Sequence, residues 1–227
     1  MKRILRPAIR IANVCFARKP QFVVIGTPRS GTNYFSVLCR ANGVICSHED
    51  YFTEYGPILR NPNRRFDTIG DVSWLAPPFL PEESMKIIHQ VRNPLKVVRS
   101  IHSMGLFHRE FDANRRPFIE LLRKHFSPDD DPLRSAMRFY VEWNAKCEDL
   151  TQKRYQVERL DEERYRLGDW LGIDLNNLGE VSKSTNTRTP VIKAEVTLDC
   201  LSKFPEFKEF WEMAGRYGYD LNSESET

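Results

Sequence analysis

The segment Gln21–Phe35, QFVVIGTPRSGTNYF, constrains the fold more than any other part of the chain. Phe22–Ile25 is a continuous apolar run rich in β-branched residues, the pattern of a strand buried on both faces. Gly26, Pro28 and Gly31 then break the run. Tyr34, Phe35, Val37, Leu38 and Ala41 follow at helical spacing, until Asn42-Gly43 offers a stop. A doubly buried strand leading directly into a helix belongs to a βα unit, and such units build parallel sheets with helices on their faces. The loop between them also leaves the first amides of the helix without intrahelical partners, which suits an anion.

The rest of the chain repeats this alternation. Strands are expected at Val44–Ser47, Met85–Val91 and Arg154–Leu160. Asn93-Pro94 and Asp131-Pro132 each pair a capping residue with proline at the first helical position. They open helices through Ile101 and through about Leu150. Further helices are expected near Phe118–His125, over Asp161–Gly172 and over Pro205–Tyr219. Residues 50–80, with several prolines and aromatics, read as a lid or substrate loop with short helices rather than regular structure. Residues 105–131 read as mostly polar, and 176–190 as a Ser/Thr/Asn-rich loop. The fold class is α/β: three layers, with a central, mainly parallel sheet flanked by helices. The 227 residues suit one domain. It is expected over 21–221, after a basic arm (1–20) and before a flexible tail (222–227).

A net charge of +3 gives no bulk attraction for nucleic acid. No apolar run approaches the roughly 18–20 residues of a membrane span. The basic N-terminal segment reads as a docked or loosely ordered arm, with a membrane-surface or targeting role as alternatives. Cys15, Cys39, Cys46, Cys147 and Cys200 are scattered, with no C-x-x-C pair. They are expected to be free thiols in a reducing, cytoplasmic setting, and no metal site is expected.

Two loops carry the chemistry. Gly26 and Gly31 have the spacing of a nucleotide-hydrolysing phosphate loop, but Thr32 stands where that loop has its lysine. The positive charge lies instead within the loop, at Arg29, whose planar guanidinium suits a tetrahedral oxyanion. The amides from Arg29 to Asn33 and the hydroxyls of Ser30 and Thr32 are further donors. The plainer reading is a strand–turn–helix link with an exposed arginine. The second loop is QVRNPLKVVRS: Arg92 ends a strand and Ser100 stands two helical turns on, so that both side chains can face one anion. The plainer reading there is a strand–loop–helix with a capping Asn93.

Taken in order, TPRSGTNYF and RNPLKVVRS resemble the two nucleotide-binding elements of sulfotransferases that use 3′-phosphoadenosine 5′-phosphosulfate (PAPS), a family with a P-loop-like fold. The resemblance is good over about residues 20–105 and thinner beyond. It implies that Arg29, Ser30, Gly31, Thr32 and Asn33 hold the 5′-phosphosulfate, and that Arg92 and Ser100 hold the 3′-phosphate. It also implies that the SKSTNTR loop closes over the nucleotide through Asn186, Arg188 or Lys183. In VICSHEDYF, Glu49 stands where several branches of the family carry the general base, and His48 is the second candidate. An acceptor hydroxyl, on a carbohydrate first, would lie between that base and the loop. A bound metal is less necessary, because a sulfuryl group carries less charge than a phosphoryl group, and none is expected. A P-loop small-molecule kinase and a non-catalytic module binding sulfated glycans or nucleotide are the alternatives. Glu158 reads as a structural partner for an arginine. Tyr51 and Trp74 read as sugar-stacking or core residues. His102, His108, Arg109, Arg115 and Arg116 read as acceptor contacts or as a solvated face, and Met104, Trp143 and Trp211 as packing residues.

Overall fold

The computed structural model describes residues 18–58, 67–81, 85–108, 116–177, 192–193 and 195–222. Its centre is a five-stranded sheet of β1 (Phe22–Ile25), β2 (Cys46–His48), β5 (Gly70–Val72), β6 (Lys86–Val91) and β7 (Arg154–Gln156), in the order β2-β5-β1-β6-β7. Every pairing in it is parallel. A small antiparallel hairpin, β3 (Phe52–Thr53) with β4 (Gly56–Pro57), stands apart. The helices are α1 (Thr32–Ala41), α2 (Pro94–Ser103), α3 (Arg116–His125), α4 (Pro132–Leu150), α5 (Leu160–Leu171), α6 (Leu198–Ser202) and α7 (Phe207–Arg216).

The strand period of two explains the three layers. On β1, Phe22 and Val24 enter a core shared with Phe35 and Leu38 of α1 and Leu160 and Leu167 of α5. Val23 and Ile25 enter the opposite core, with Val97 and Ile101 of α2, Phe139 and Trp143 of α4 and Phe210 of α7. The expected caps form: the Asn93 side chain accepts from the Lys96 amide at 2.9 Å, and Asp131 accepts from Leu133 and Arg134 at 2.8 and 3.1 Å.

Three expectations need correction. The stretch 50–80 contains the hairpin and β5, an inner strand of the sheet. Its sequence, Gly-Asp-Val, hides it. A Cβ on Gly70 would lie 2.1 Å from the Phe22 ring, so glycine is required in a place that normally argues against a strand. The strand expected over Arg154–Leu160 stops at Gln156 and gives way to a turn of 3₁₀-helix, Val157–Arg159. The short helix α6 was not expected, and Thr197 caps it by accepting from the Cys200 amide at 3.3 Å.

His89 on β6 is buried against α4, where its Nε2 is 2.9 Å from Asn144 Oδ1. Burial pulls the imidazole down from 6.5 to about 4. Between those values the unfolded chain takes up a proton that the folded chain refuses. Stability is therefore expected to fall as pH drops through that window, by up to about 3 kcal/mol. Urea unfolding at pH 7 and pH 4.5 should show this, and His89→Gln should flatten the difference. An equal pH effect in both proteins would assign it elsewhere.

Candidate functional site

The crossover leaving β1 leads through α1 to β2 on one side of the sheet, whereas β6 leads through α2 and α4 to β7 on the other. The carboxyl ends of β1 and β6 therefore flank the point where the connections diverge, the usual ligand position in open α/β sheets. Both sequence loops leave the sheet there.

The first loop is folded by two left-handed residues, Arg29 at φ 72° and Gly31 at φ 91°. The Ser30 amide and hydroxyl both donate to Thr27 O, at 3.3 and 2.7 Å. In this arrangement the Ser30 hydroxyl closes the turn from within. Two carbonyls of the loop are held toward β6. Arg92 Nη1 donates to Arg29 O at 2.9 Å, and Gln90 Nε2 donates to Ser30 O. The Tyr155 hydroxyl donates in turn to Gln90 Oε1. Because the peptide is planar, the Gly31 amide points opposite to the held Ser30 carbonyl. It joins the Thr32 and Asn33 amides of the first helical turn, where no side chain caps the helix.

Close approach makes Gly26 necessary. A Cβ there would lie 2.4 Å from Gln90 O and 2.9 Å from Ser30 Oγ. The first obstacle is sheet backbone, which cannot rotate away. Gly26→Ala is expected to cost about 1–3 kcal/mol, as overpacking does. Its melting temperature should fall by several degrees. A variant that melts like the parent would show that the loop can shift freely.

The second loop meets the first directly. Arg29 Nε donates to Ser100 Oγ at 2.9 Å, joining residues 71 positions apart. Arg92 approaches Glu158, with Nε 4.0 Å from Oε1. Glu158 Oε1 also accepts from the Asn93 amide at 3.1 Å, and its Oε2 accepts from the Tyr219 hydroxyl at 2.6 Å. Burial and the Glu158 carboxylate push the Tyr219 phenol upward, so it stays a donor. Glu158 thus stands beside Arg92, as its reading as an arginine partner anticipated, and also ties the second loop to the C-terminal end of the fold, which that reading did not foresee. Two bonds tie Ile192 and Val196 to α2: Ile192 N to Ser103 O at 2.9 Å, and Arg99 Nε to Val196 O at 2.6 Å. Lys183, Asn186 and Arg188 lie outside the described residues, as do Arg109 and Arg115 and the side chain of Arg116.

The third contribution comes from the end of β2. Thr32 Oγ1 is 3.1 Å from His48 Nε2, and that nitrogen is 3.6 Å from Glu49 Oε1. The imidazole therefore stands between the phosphate-type loop and the carboxylate, and both His48 and Glu49 are partly exposed. Glu49 is itself left-handed, at φ 59°. The wholly buried Asp71 on β5 lies beneath this turn.

The structure gives other sequence candidates plainer roles. Tyr51 and Trp74 are buried core residues, and the Trp143 indole donates to Trp74 O at 2.9 Å. The His102 and His108 rings pack 5.2 Å apart. Among the described residues, no group of three or more His, Cys, Asp or Glu is placed to hold a metal ion. Sequence reasoning missed Gln90, Tyr155, Tyr219 and Asp71. For Gln90 and Asp71 the available signal was an amide or carboxylate inside an otherwise apolar neighbourhood, since a polar group is buried only with partners.

No protein-family model matches the sequence, and no curated protein matches it. Solved structures do. A crystallised sulfotransferase from Alicyclobacillus acidocaldarius aligns with a TM-score of 0.54 at 15% identity, over 91% of this chain and 98% of its own. A sulfotransferase domain from the curacin biosynthetic pathway aligns with a TM-score of 0.54 at 14% identity, over 90% of this chain and 99% of its own. The chain therefore has the three-layer α/β architecture seen in sulfotransferases.

Proposed function

We propose that this chain transfers a sulfuryl group from PAPS to an acceptor hydroxyl, with a carbohydrate as the acceptor class. One observation carries the reading. Two loops far apart in sequence converge at the switch point of the sheet, with Arg29 bonded to Ser100 and Arg92 bonded to the Arg29 carbonyl. A general strand–turn–helix link gives no reason for such a meeting, whereas a donor with a 5′-phosphosulfate and a 3′-phosphate needs an anion site on each loop.

In this reading Arg29 and the loop from Ser30 to Asn33 hold the 5′-phosphosulfate, Ser30 by shaping the turn and Gly31, Thr32 and Asn33 through their amides. Arg92 and Ser100 serve the 3′-phosphate, with Asn186 and Arg188 completing the nucleotide contacts. The acceptor oxygen forms a bond to sulfur as the bond from sulfur to the 5′-phosphate oxygen breaks. Glu49 takes the acceptor proton, and 3′-phosphoadenosine 5′-phosphate (PAP) leaves. Positioning and charge stabilisation dominate such transfers. His48, within reach of both Thr32 and Glu49, orients the base. The carbohydrate assignment rests on the likeness of the Glu49 position to sugar-directed branches of the family. The described cysteines, Cys39, Cys46, Cys147 and Cys200, are free, in keeping with a cytoplasmic setting.

The test is transfer from radiolabelled PAPS to a panel of sugar, lipid and phenolic hydroxyls, beside a calorimetric titration with PAP. Transfer together with micromolar PAP binding supports the reading. Failure of both PAPS and PAP to bind at that level ends it.

A further inference from the structure

We propose that Asp71 is a positioning residue, whose buried carboxylate clamps the Ser47–Phe52 turn and so sets where Glu49 and His48 stand relative to the phosphate-type loop. This rests on the reading of Glu49 as the base. Asp71 lies on β5 between β2 and β1, in register with Ser47 and Val23. Its Oδ1 accepts from Ser47 Oγ at 2.6 Å and from the Asp50 amide at 3.3 Å, and its Oδ2 accepts from the Phe52 amide at 3.1 Å. The Tyr51 amide adds to this set. Among the described residues no lysine or arginine forms an ion pair with it.

A carboxylate buried without a cation is costly unless hydrogen bonds satisfy it. An apolar residue would pack more cheaply at an inner strand position. A carboxylate, however, is purely an acceptor, with room for several donors on two oxygens. It can therefore gather the successive amides of a turn that no sheet ladder supports. Glu49 immediately precedes the gathered amides, and its own amide donates to Val72 O at 3.1 Å. It is thus held on both sides in a left-handed conformation that a glutamate adopts only when the surroundings impose it. With the amides of residues 50 to 52 drawn inward, the Glu49 carboxylate stays beside His48.

Burial pushes the Asp71 carboxyl upward, against the lowering effect of its hydrogen bonds. Asp71→Asn keeps the shape but sets an amide NH2 against one of these donors, so it is expected to fold with a melting temperature lowered by several degrees. Its kcat for sulfuryl transfer should fall about 100-fold, the usual penalty for misplacing a reacting group by about 1 Å. Its KM for PAPS should stay within about twofold, since the donor loops do not touch Asp71. Amide exchange at Asp50 and Phe52 should accelerate at least about tenfold, with Val23 and Val24 unchanged. A kcat within about threefold of the parent, or a donor KM that rises as much as kcat falls, overturns the proposal. If the parent shows no transfer, the function fails but the clamp is still decided: faster exchange confined to 50–52 supports it, and unchanged exchange refutes it. Should Asp71→Asn not fold, Ser47→Ala removes the side-chain donor alone. A roughly tenfold loss of kcat with faster exchange at Asp50 is then expected, and parental values on both readouts refute the clamp.

Discussion

Replacing Glu49 by Gln is expected to lower kcat for sulfuryl transfer by about 10²–10⁴, the range a general base supplies. PAP affinity should stay within about twofold. The substitution keeps the shape and removes only the ability to accept a proton. In the proposed reading the donor is held from the β1–α1 loop, the start of α1, the β6–α2 connection and α2, so its binding has no reason to change. His48 sharpens the test, because its Nε2 is 3.6 Å from Glu49 Oε1 and 3.1 Å from Thr32 Oγ1. If His48 were the base, Glu49→Gln would leave most of the activity and His48→Asn would remove it. If Glu49 is the base, His48→Asn should cost less than Glu49→Gln. Steady-state rates for the two variants, with calorimetry for PAP, decide between the assignments.

Arg29→Ala is expected to lower kcat/KM by about 10²–10³, as does the loss of one charged donor aimed at a leaving group. Unlike the Glu49 variant, it should also weaken PAP binding. The Arg29 side chain donates to Ser100, and the Arg29 carbonyl is held by Arg92. The substitution removes the first and leaves the second available, so the loop should keep its course. Arg29→Lys keeps the charge without the planar fork and is expected to recover binding more than turnover. Equal kcat/KM for the parent and the alanine variant would remove Arg29 from the reaction.

Much of this was legible in the sequence because it depends on local rules. The run Phe22–Ile25 has one sensible placement, between two cores. Asn93-Pro94 and Asp131-Pro132 state where helices begin. Arg29, Arg92 and Ser100 were legible as a group because the loops bearing them follow strands whose carboxyl ends must face the same way in a parallel sheet. What was not legible depends on tertiary fit. β5 carries glycine because the Phe22 ring occupies the space of a side chain, and no local pattern records that. The role of Gln90 requires knowing that Tyr155 stands across from it on β7 and the Ser30 carbonyl above it. Asp71 looked like a loop acid because its strand is short and lies in a stretch read as irregular. The Tyr219–Glu158 bond joins positions 61 apart through a contact that neither segment signals on its own.

The order of the strands has a consequence for how such a protein can diversify. The three contributors to the site depart from β1, from β6 and from β2, each fixed in register by the neighbouring strands. The β3–β4 hairpin and α3 contribute no strand to that sheet. They can be lengthened, shortened or exchanged between descendants while the spacing between Arg29, Arg92 and Glu49 is preserved. On the proposed function, the sheet thus separates inheritance into two parts: a rigid part that keeps Arg29, Arg92 and Glu49 at their distances, and replaceable parts through which other acceptors can be tried.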